Sequence, residues 1–307
     1  MTNEEMIEKI NQLKKEKNAV ILSHFYTNPE IQGIADFLGD SLGLSKLAAT
    51  TDADVIVFCG VHFMAETAAI ISPDKKVFSP AFNAGCSLAD SCTASALRKW
   101  KDENPRGLVV SYVNTTAAVK AETDYCVTSA NALRIVKALP KDCKILFGPD
   151  KNLGAYISEV TGRKMDLWQG CCIVHDVITP LMVREALEEY PNTDILIHPE
   201  ALCSHEEEFI HNPLIHFAST AGMLDIVRAS DKKHFIIGTE LGIMTELCKQ
   251  NPDKEFTPLT KSLICQEMKK VTLEGVLDSL ENESGRIILD EQLRQRALLP
   301  ITRMMQM

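Results

Sequence analysis

Three apolar, β-branched-rich stretches recur along the chain at almost equal spacing, and no other feature limits the fold as tightly. They are NAVILSHFY (18–26), RGLVVSYVN (106–114) and NTDILIHPE (192–200), whose starts lie 88 and 86 residues apart. Each reads as a buried parallel strand that ends in polar residues, because an unbroken apolar run needs cover on both faces. A second set follows: DVIVFCGVH (54–62), CKILFGPD (143–150) and HFIIGTE (234–240), all with glycine where the strand ends. Helical patterns lie between the two sets, as in LGLSKLAATT (42–51), NALRIVKALP (131–140) and GMLDIVRAS (222–230), and others follow the second set.

A unit of strand, helix, strand, helix and short strand thus repeats three times, with a period far longer than that of a solenoid. The fold class expected is α/β, with three pseudo-three-fold-related αβα domains, each carrying a small parallel sheet, around a central active site. The expected segments are an N-terminal helix (1–18), repeats at 19–104, 105–191 and 192–276, and a C-terminal helical extension (277–307). The first segment spaces Met6, Ile7, Ile10 and Leu13 as an amphipathic helix and not as a secretory signal. No apolar run approaches the roughly eighteen residues that cross a bilayer, so a cytoplasmic protein without membrane partners is expected. A formal net charge of −10 without a basic run argues against a nucleic-acid partner, and it leaves local dipoles to hold any anionic ligand.

In open parallel sheets, ligands sit beyond the carboxyl ends of the strands. Residues at equivalent repeat positions should therefore gather at one centre. The first strands end in His24-x-Tyr26, Tyr112-x-Asn114 and His198-x-Glu200. Farther on stand Ser41, Ser129 and Thr220, each just ahead of a helical pattern and so at or near an N-cap, where backbone N–H groups favour carboxylate or phosphate. His62, at the end of a second strand, is a further candidate for lining the site.

Ten cysteines are many for a chain expected to stay reduced, which moves weight from disulfides to metal. No pair of CxxC motifs is present, so any cluster must take ligands from distant parts of the sequence. One candidate falls at the end of each repeat: Cys86, the Cys171/Cys172 pair, and Cys265. Three thiolates around an open centre suit a 4Fe-4S cluster with one iron left without a protein ligand; a Cys3His zinc site is the competitor, for which only Cys172-x-x-His175 has the usual spacing. Cys59, Cys92, Cys126, Cys143, Cys203 and Cys248 read as packing residues.

The segments PEIQGIADFLGDSLGLSKLAA (29–49), ADVIVFCGVHFMAETAAIISPDKKV (53–77), AGCSLAD (84–90), VVSYVNTTAAVKAETDYCVTSANA (109–132), GCCIVH (170–175), HPE (198–200) and NPDKEF (251–256) resemble the quinolinate synthase family. The resemblance implies condensation of iminoaspartate with dihydroxyacetone phosphate to quinolinate, water and phosphate in de novo NAD synthesis. It also implies a 4Fe-4S cofactor with an open, Lewis-acidic iron, and coupling to an enzyme that produces iminoaspartate. The implied ligands are Cys86, Cys172 and Cys265, with Cys171 a bystander; around Cys265 the chain departs from the family in having Gln266 and Glu267 where proline and asparagine are common. Tyr26, Tyr112, His198 and Glu200 become the candidates for proton transfer, and His24, Ser41, Asn114, Ser129, His175 and Thr220 those for substrate binding. An isoprenoid-diphosphate-type iron–sulfur reductase and an iron–sulfur sensor are the alternatives.

Overall fold

The computed structural model describes residues 1–307 and contains three sheets of one topology. The first sheet has strands β1 (Ala19–His24), β2 (Phe37–Gly39), β3 (Val55–Cys59) and β4 (Lys76–Phe78). The second has β5 (Leu108–Tyr112), β6 (Tyr125–Val127), β7 (Ile145–Gly148) and β8 (Asp166–Leu167). The third has β9 (Asp194–Ile197), β10 (Ile215–Phe217), β11 (His234–Gly238) and β12 (Glu255–Pro258). Their spatial orders are 2-1-3-4, 6-5-7-8 and 10-9-11-12, and every pairing is parallel. The chain is α/β with three αβα lobes. The repeated apolar runs supply the two central strands of each sheet, and β1, β3, β5, β7, β9 and β11 are buried along nearly their whole length.

The helices follow the caps written into the sequence. Helix Asn3–Glu16 opens with a capping box between Thr2 and Glu5 and buries Met6 and Ile10. At the three hydroxyl positions the cap lies one or two residues from where sequence spacing puts it. Asp40 caps helix Ser41–Thr50 and Ser219 caps helix Thr220–Ala229, so Ser41 and Thr220 are the first helical residues. Ser129 precedes Asn131, the N-cap of helix Ala132–Ala138, whose side chain instead accepts from Thr128 N. Toward the C-terminus, helix Leu273–Asn282 is capped by Thr272 and starts ahead of the expected extension, while helix Glu291–Gln306 packs across lobes one and two. Its backbone accepts from Asn131, and its Arg294, Arg296 and Arg303 bond to carbonyls of Ile70, Ala121 and Asp124.

One apolar core of 61 buried residues runs through all three lobes and both terminal segments, and a second of 12 lies against the third sheet. Of the cysteines read as packing, Cys59, Cys92, Cys126 and Cys203 are buried; Cys143 is half-buried and Cys248 is exposed on helix Ile243–Gln250. No helix is long and apolar enough to cross a membrane.

Candidate active site

The carboxyl ends of β1, β5 and β9 open on a single cavity. His24, Tyr26, Tyr112, Asn114, His198 and Glu200 line it from these strand ends. Ser41, Ser129 and Thr220 line it from the helix starts, and Cys86, Cys172, His175 and Cys265 from the loops that close each lobe. Every residue singled out from repeat phase and family pattern therefore meets in one place. His62 does not reach it: this histidine lines a neighbouring surface pocket with Glu66 and Phe82.

His24 and His198 stand at matching positions and make the same local bond. Nδ1 of each accepts from the backbone N–H two residues on, at 3.2 Å from Tyr26 N and 3.4 Å from Glu200 N. Burial also pushes both imidazoles down, to about 3. Each is therefore a neutral ring with its proton on Nε2, a donor rather than a cation. His198 stacks on His175 at 4.4 Å between centroids.

Glu200 is almost fully buried, which opposes its ionisation, yet its histidine neighbours and the facing Tyr112 hydroxyl bring the carboxyl down to about 2. The bond to His175 Nδ1 is 2.8 Å long. Nε2 of the same ring lies 2.9 Å from Thr239 Oγ1, which is also 2.8 Å from the Tyr26 hydroxyl, and that hydroxyl reaches Thr220 Oγ1 at 2.7 Å. Tyr26 and Tyr112 are both raised well above the ordinary phenol value by burial. Asn114 Oδ1 is buried without a partner.

The three cysteines share a geometry that goes beyond common membership of a cavity. Each opens a helical turn: its carbonyl accepts from the N–H four residues on, Asp90 for Cys86 at 3.0 Å, Asp176 for Cys172 at 2.8 Å and Lys269 for Cys265 at 3.2 Å. In each, the sulfur faces N–H groups two or three residues on, at Leu88 and Ala89, at His175, and at Glu267 and Met268. Backbone N–H groups so placed favour a thiolate. Against it, burial raises all three thiols, to about 12 for Cys86. Sulfurs so placed need a cation to become thiolates, and three soft ligands with no disulfide among them fit an iron–sulfur cluster. Cys172, His175 and Glu200 also offer ligand atoms within 4.8 Å of one another, but His175 and Glu200 are already spent on a bond to each other.

Carboxylates fasten all three turns. Asp150 Oδ2 accepts from Cys172 N at 3.0 Å, Glu240 Oε1 from Cys265 N at 3.1 Å, and Glu267 Oε2 from Gly85 N at 2.8 Å. Asp150 and Glu240 are fully buried, and burial raises both. Glu240 is paired with Lys269 at 3.0 Å, whose ammonium also donates to Tyr26 O at 2.6 Å. The sequence patterns single out none of Thr239, Asp150, Glu240, Glu267 and Lys269. A signal for two of them exists, since Gly60-x-His62, Gly148-x-Asp150 and Gly238-x-Glu240 occupy one repeat position.

Known proteins resemble the chain along nearly its whole length. The family model described as Quinolinate synthetase A protein matches residues 8–306. The chain belongs to that family. Among its relatives, the quinolinate synthase of Desulforudis audaxviator is 47% identical over 303 residues, covering 99% of this chain and 98% of the relative. That of Pyrobaculum aerophilum is 47% identical over 301 residues, with coverages of 97% and 98%. A quinolinate synthase of Thermus thermophilus is 46% identical over 297 residues, with coverages of 97% and 96%. Quinolinate synthases of this family thus match the chain over its whole architecture, three lobes and terminal helices included.

Proposed function

We propose that this chain condenses iminoaspartate with dihydroxyacetone phosphate to quinolinate, releasing phosphate and water, in NAD biosynthesis in the cytoplasm. The observation that carries the reading is the convergence of one turn-opening cysteine from each lobe on the cavity where Glu200, two phenols and two neutral histidines also meet. Cys86, Cys172 and Cys265 would hold the 4Fe-4S cluster, and an iron left open by three thiolates supplies Lewis acidity toward a departing hydroxyl.

The remaining work falls to the protein's own groups. Glu200, ionised and oriented by His175 at 2.8 Å, is the general base for carbon-bound protons during isomerisation and ring closure. Tyr112, protonated and facing the Glu200 carboxylate, is placed to return a proton. His24 and His198 donate from Nε2 to substrate carboxylates without carrying a charge that would fix the substrate too tightly. Asn114, whose amide oxygen lacks a partner, accepts from a substrate hydroxyl or N–H, and Ser41 and Ser129 near helix starts hold the phosphate. Thr220 and Tyr26 form the edge of the site nearest lobe three. Iminoaspartate would come from an amino-acid-oxidising partner enzyme.

The test is anaerobic purification and reconstitution, then assay of both substrates without a reductant. About four iron per chain and formation of quinolinate are expected. One zinc per chain would replace the cluster with a mononuclear site, and a strict need for external electrons would move the chain to the reductase class.

A further inference from the structure

The three cysteine turns share one plan, and in lobe one the plan is incomplete. The carbonyl two residues ahead of each cysteine accepts from a backbone N–H just past the end of β3, β7 or β11: Ala84 from His62, Gly170 from Lys151 and Leu263 from Leu241, at 2.8, 2.8 and 2.9 Å. This pairing makes Val61, Asp150 and Glu240 equivalent, so lobe one is a residue out of step with its glycine spacing. Asp150 and Glu240 use the position to accept from the N–H of their own lobe's cysteine, at 3.0 and 3.1 Å. Val61 has the backbone for that task and no acceptor. Like Asp150 it is the N-cap of the next helix, with φ of −86° and −85° in the two, yet in helix His62–Ile71 the cap makes no side-chain bond. Asp150 caps Leu153 N with Oδ1 at 2.8 Å and keeps Oδ2 for Cys172 N.

The Cys86 turn is fastened from another lobe. Glu267, two residues beyond Cys265, accepts from Gly85 N at 2.8 Å. Lys270 holds that carboxylate at 2.6 Å and donates to Asn83 O at 3.4 Å. The same stretch is sewn to lobe one again, through Lys269 Nζ to Tyr26 O at 2.6 Å and Asn28 Nδ2 to Lys269 O at 3.2 Å. We infer that Glu267 is a positioning residue that supplies from lobe three the fastening Val61 cannot give, so that Cys86 is set as an iron ligand only while lobes one and three are docked. The inference rests on the cluster reading of the proposed function and deepens it. Cys172 and Cys265 are held by carboxylates of their own lobes and keep their turns when the lobes part. Cys86 does not, so iron is lost first on its side and the lifetime of the cluster follows the contact between Glu267 and Gly85.

The experiment compares wild type, Glu267→Ala, Glu267→Gln and the double variant Val61→Asp/Glu267→Ala, each reconstituted under argon with iron and sulfide. Passage of iron to a ferrous chelator is followed by absorbance, and the thermal midpoint of each metal-free protein is measured. Glu267→Ala should release iron about fivefold faster or more, because Gly85 N loses a charged acceptor. Its metal-free midpoint should stay within about 2 °C of wild type, since the bond lies at a partly exposed edge. Glu267→Gln should stay within about twofold of the wild-type rate, because its amide oxygen still accepts. Val61→Asp puts a carboxylate where Asp150 stands in lobe two, and should return the double variant to within about twofold of wild type. If Glu267→Ala takes up no cluster, restored uptake in the double variant carries the inference and continued failure overturns it. An unchanged release rate in Glu267→Ala, or one that glutamine raises as much as alanine, also overturns it. A wild-type chain that takes up no iron–sulfur cluster overturns the proposed function instead.

Discussion

Lys120 is a fully buried ammonium that no part of the chemistry consumes. Its Nζ donates to Val113 O at 2.8 Å and to Thr115 O, and it lies 5.4 Å from the centre of the Phe63 ring. The loop it fastens carries Asn114 and follows Tyr112. Burial lowers its pKa from 10.5 to about 8, so between those values the unfolded chain holds a proton that the folded protein has released. Stability supplied by this position therefore rises with pH across that window. The difference in unfolding free energy between wild type and Lys120→Met, measured by denaturant titration, should grow in favour of wild type from pH 8 to 10 by on the order of 1 kcal/mol per unit. A flat difference would show that burial does not tax the ammonium. At the same scale, repeat phase could not choose between Cys171 and Cys172, because adjacent residues share a phase. The structure separates them: the Cys171 sulfur turns toward Asp176, and Cys172 faces the cavity. Cys171→Ser should retain its iron after reconstitution and Cys172→Ser should lose it, with iron assay as the readout.

At the level of elements, strands were readable because continuous Val, Ile and Leu runs have few other stable outcomes, and glycine marked where the second strand of each lobe stops. Caps were less readable for a local reason. Asp40-Ser41 and Ser219-Thr220 each offer two adjacent side chains able to cap, and only the backbone angles decide, with Asp40 and Ser219 extended. The carboxylates that clamp the cysteine turns were hidden differently, since the bond from Cys265 N–H to Glu240 depends on lobe-three packing and not on either residue's neighbours in sequence. Glu240→Gln should cost about 2 kcal/mol of stability, because Lys269 would lose a buried partner. In the metal-free protein it should also speed alkylation of Cys265 relative to Cys86, measured by mass spectrometry; equal rates would mean that the turn does not need its clamp.

The whole molecule depends on how closely the lobes approach one another. Gly242 shows this directly: a Cβ there would sit 2.6 Å from Phe25 O and 2.7 Å from Tyr26 Cα, both backbone atoms of another lobe. Gly242→Ala should push lobe three away from Tyr26 and lower kcat/KM more than about tenfold through KM, with the loss read in steady-state kinetics on iron-loaded protein. The three-lobed plan and the gathering of the cavity residues were legible because equivalent positions in a repeat must be equivalent in space. The tightness of the contacts was not, because it is set by pairs such as Gly242 and Phe25 whose separation in sequence carries no pattern.

Helix Glu291–Gln306, which lies across lobes one and two, has a consequence for how the protein is made. A ribosome delivers the lobes in order, and each sheet closes from strands near one another in sequence, so each lobe can begin to fold as it emerges. The segment that stitches the first two together arrives after the third. During synthesis, then, the apolar faces that this helix will cover, like that of helix Asn3–Glu16, which waits for helix Leu273–Asn282, stay bare until the third lobe has been made.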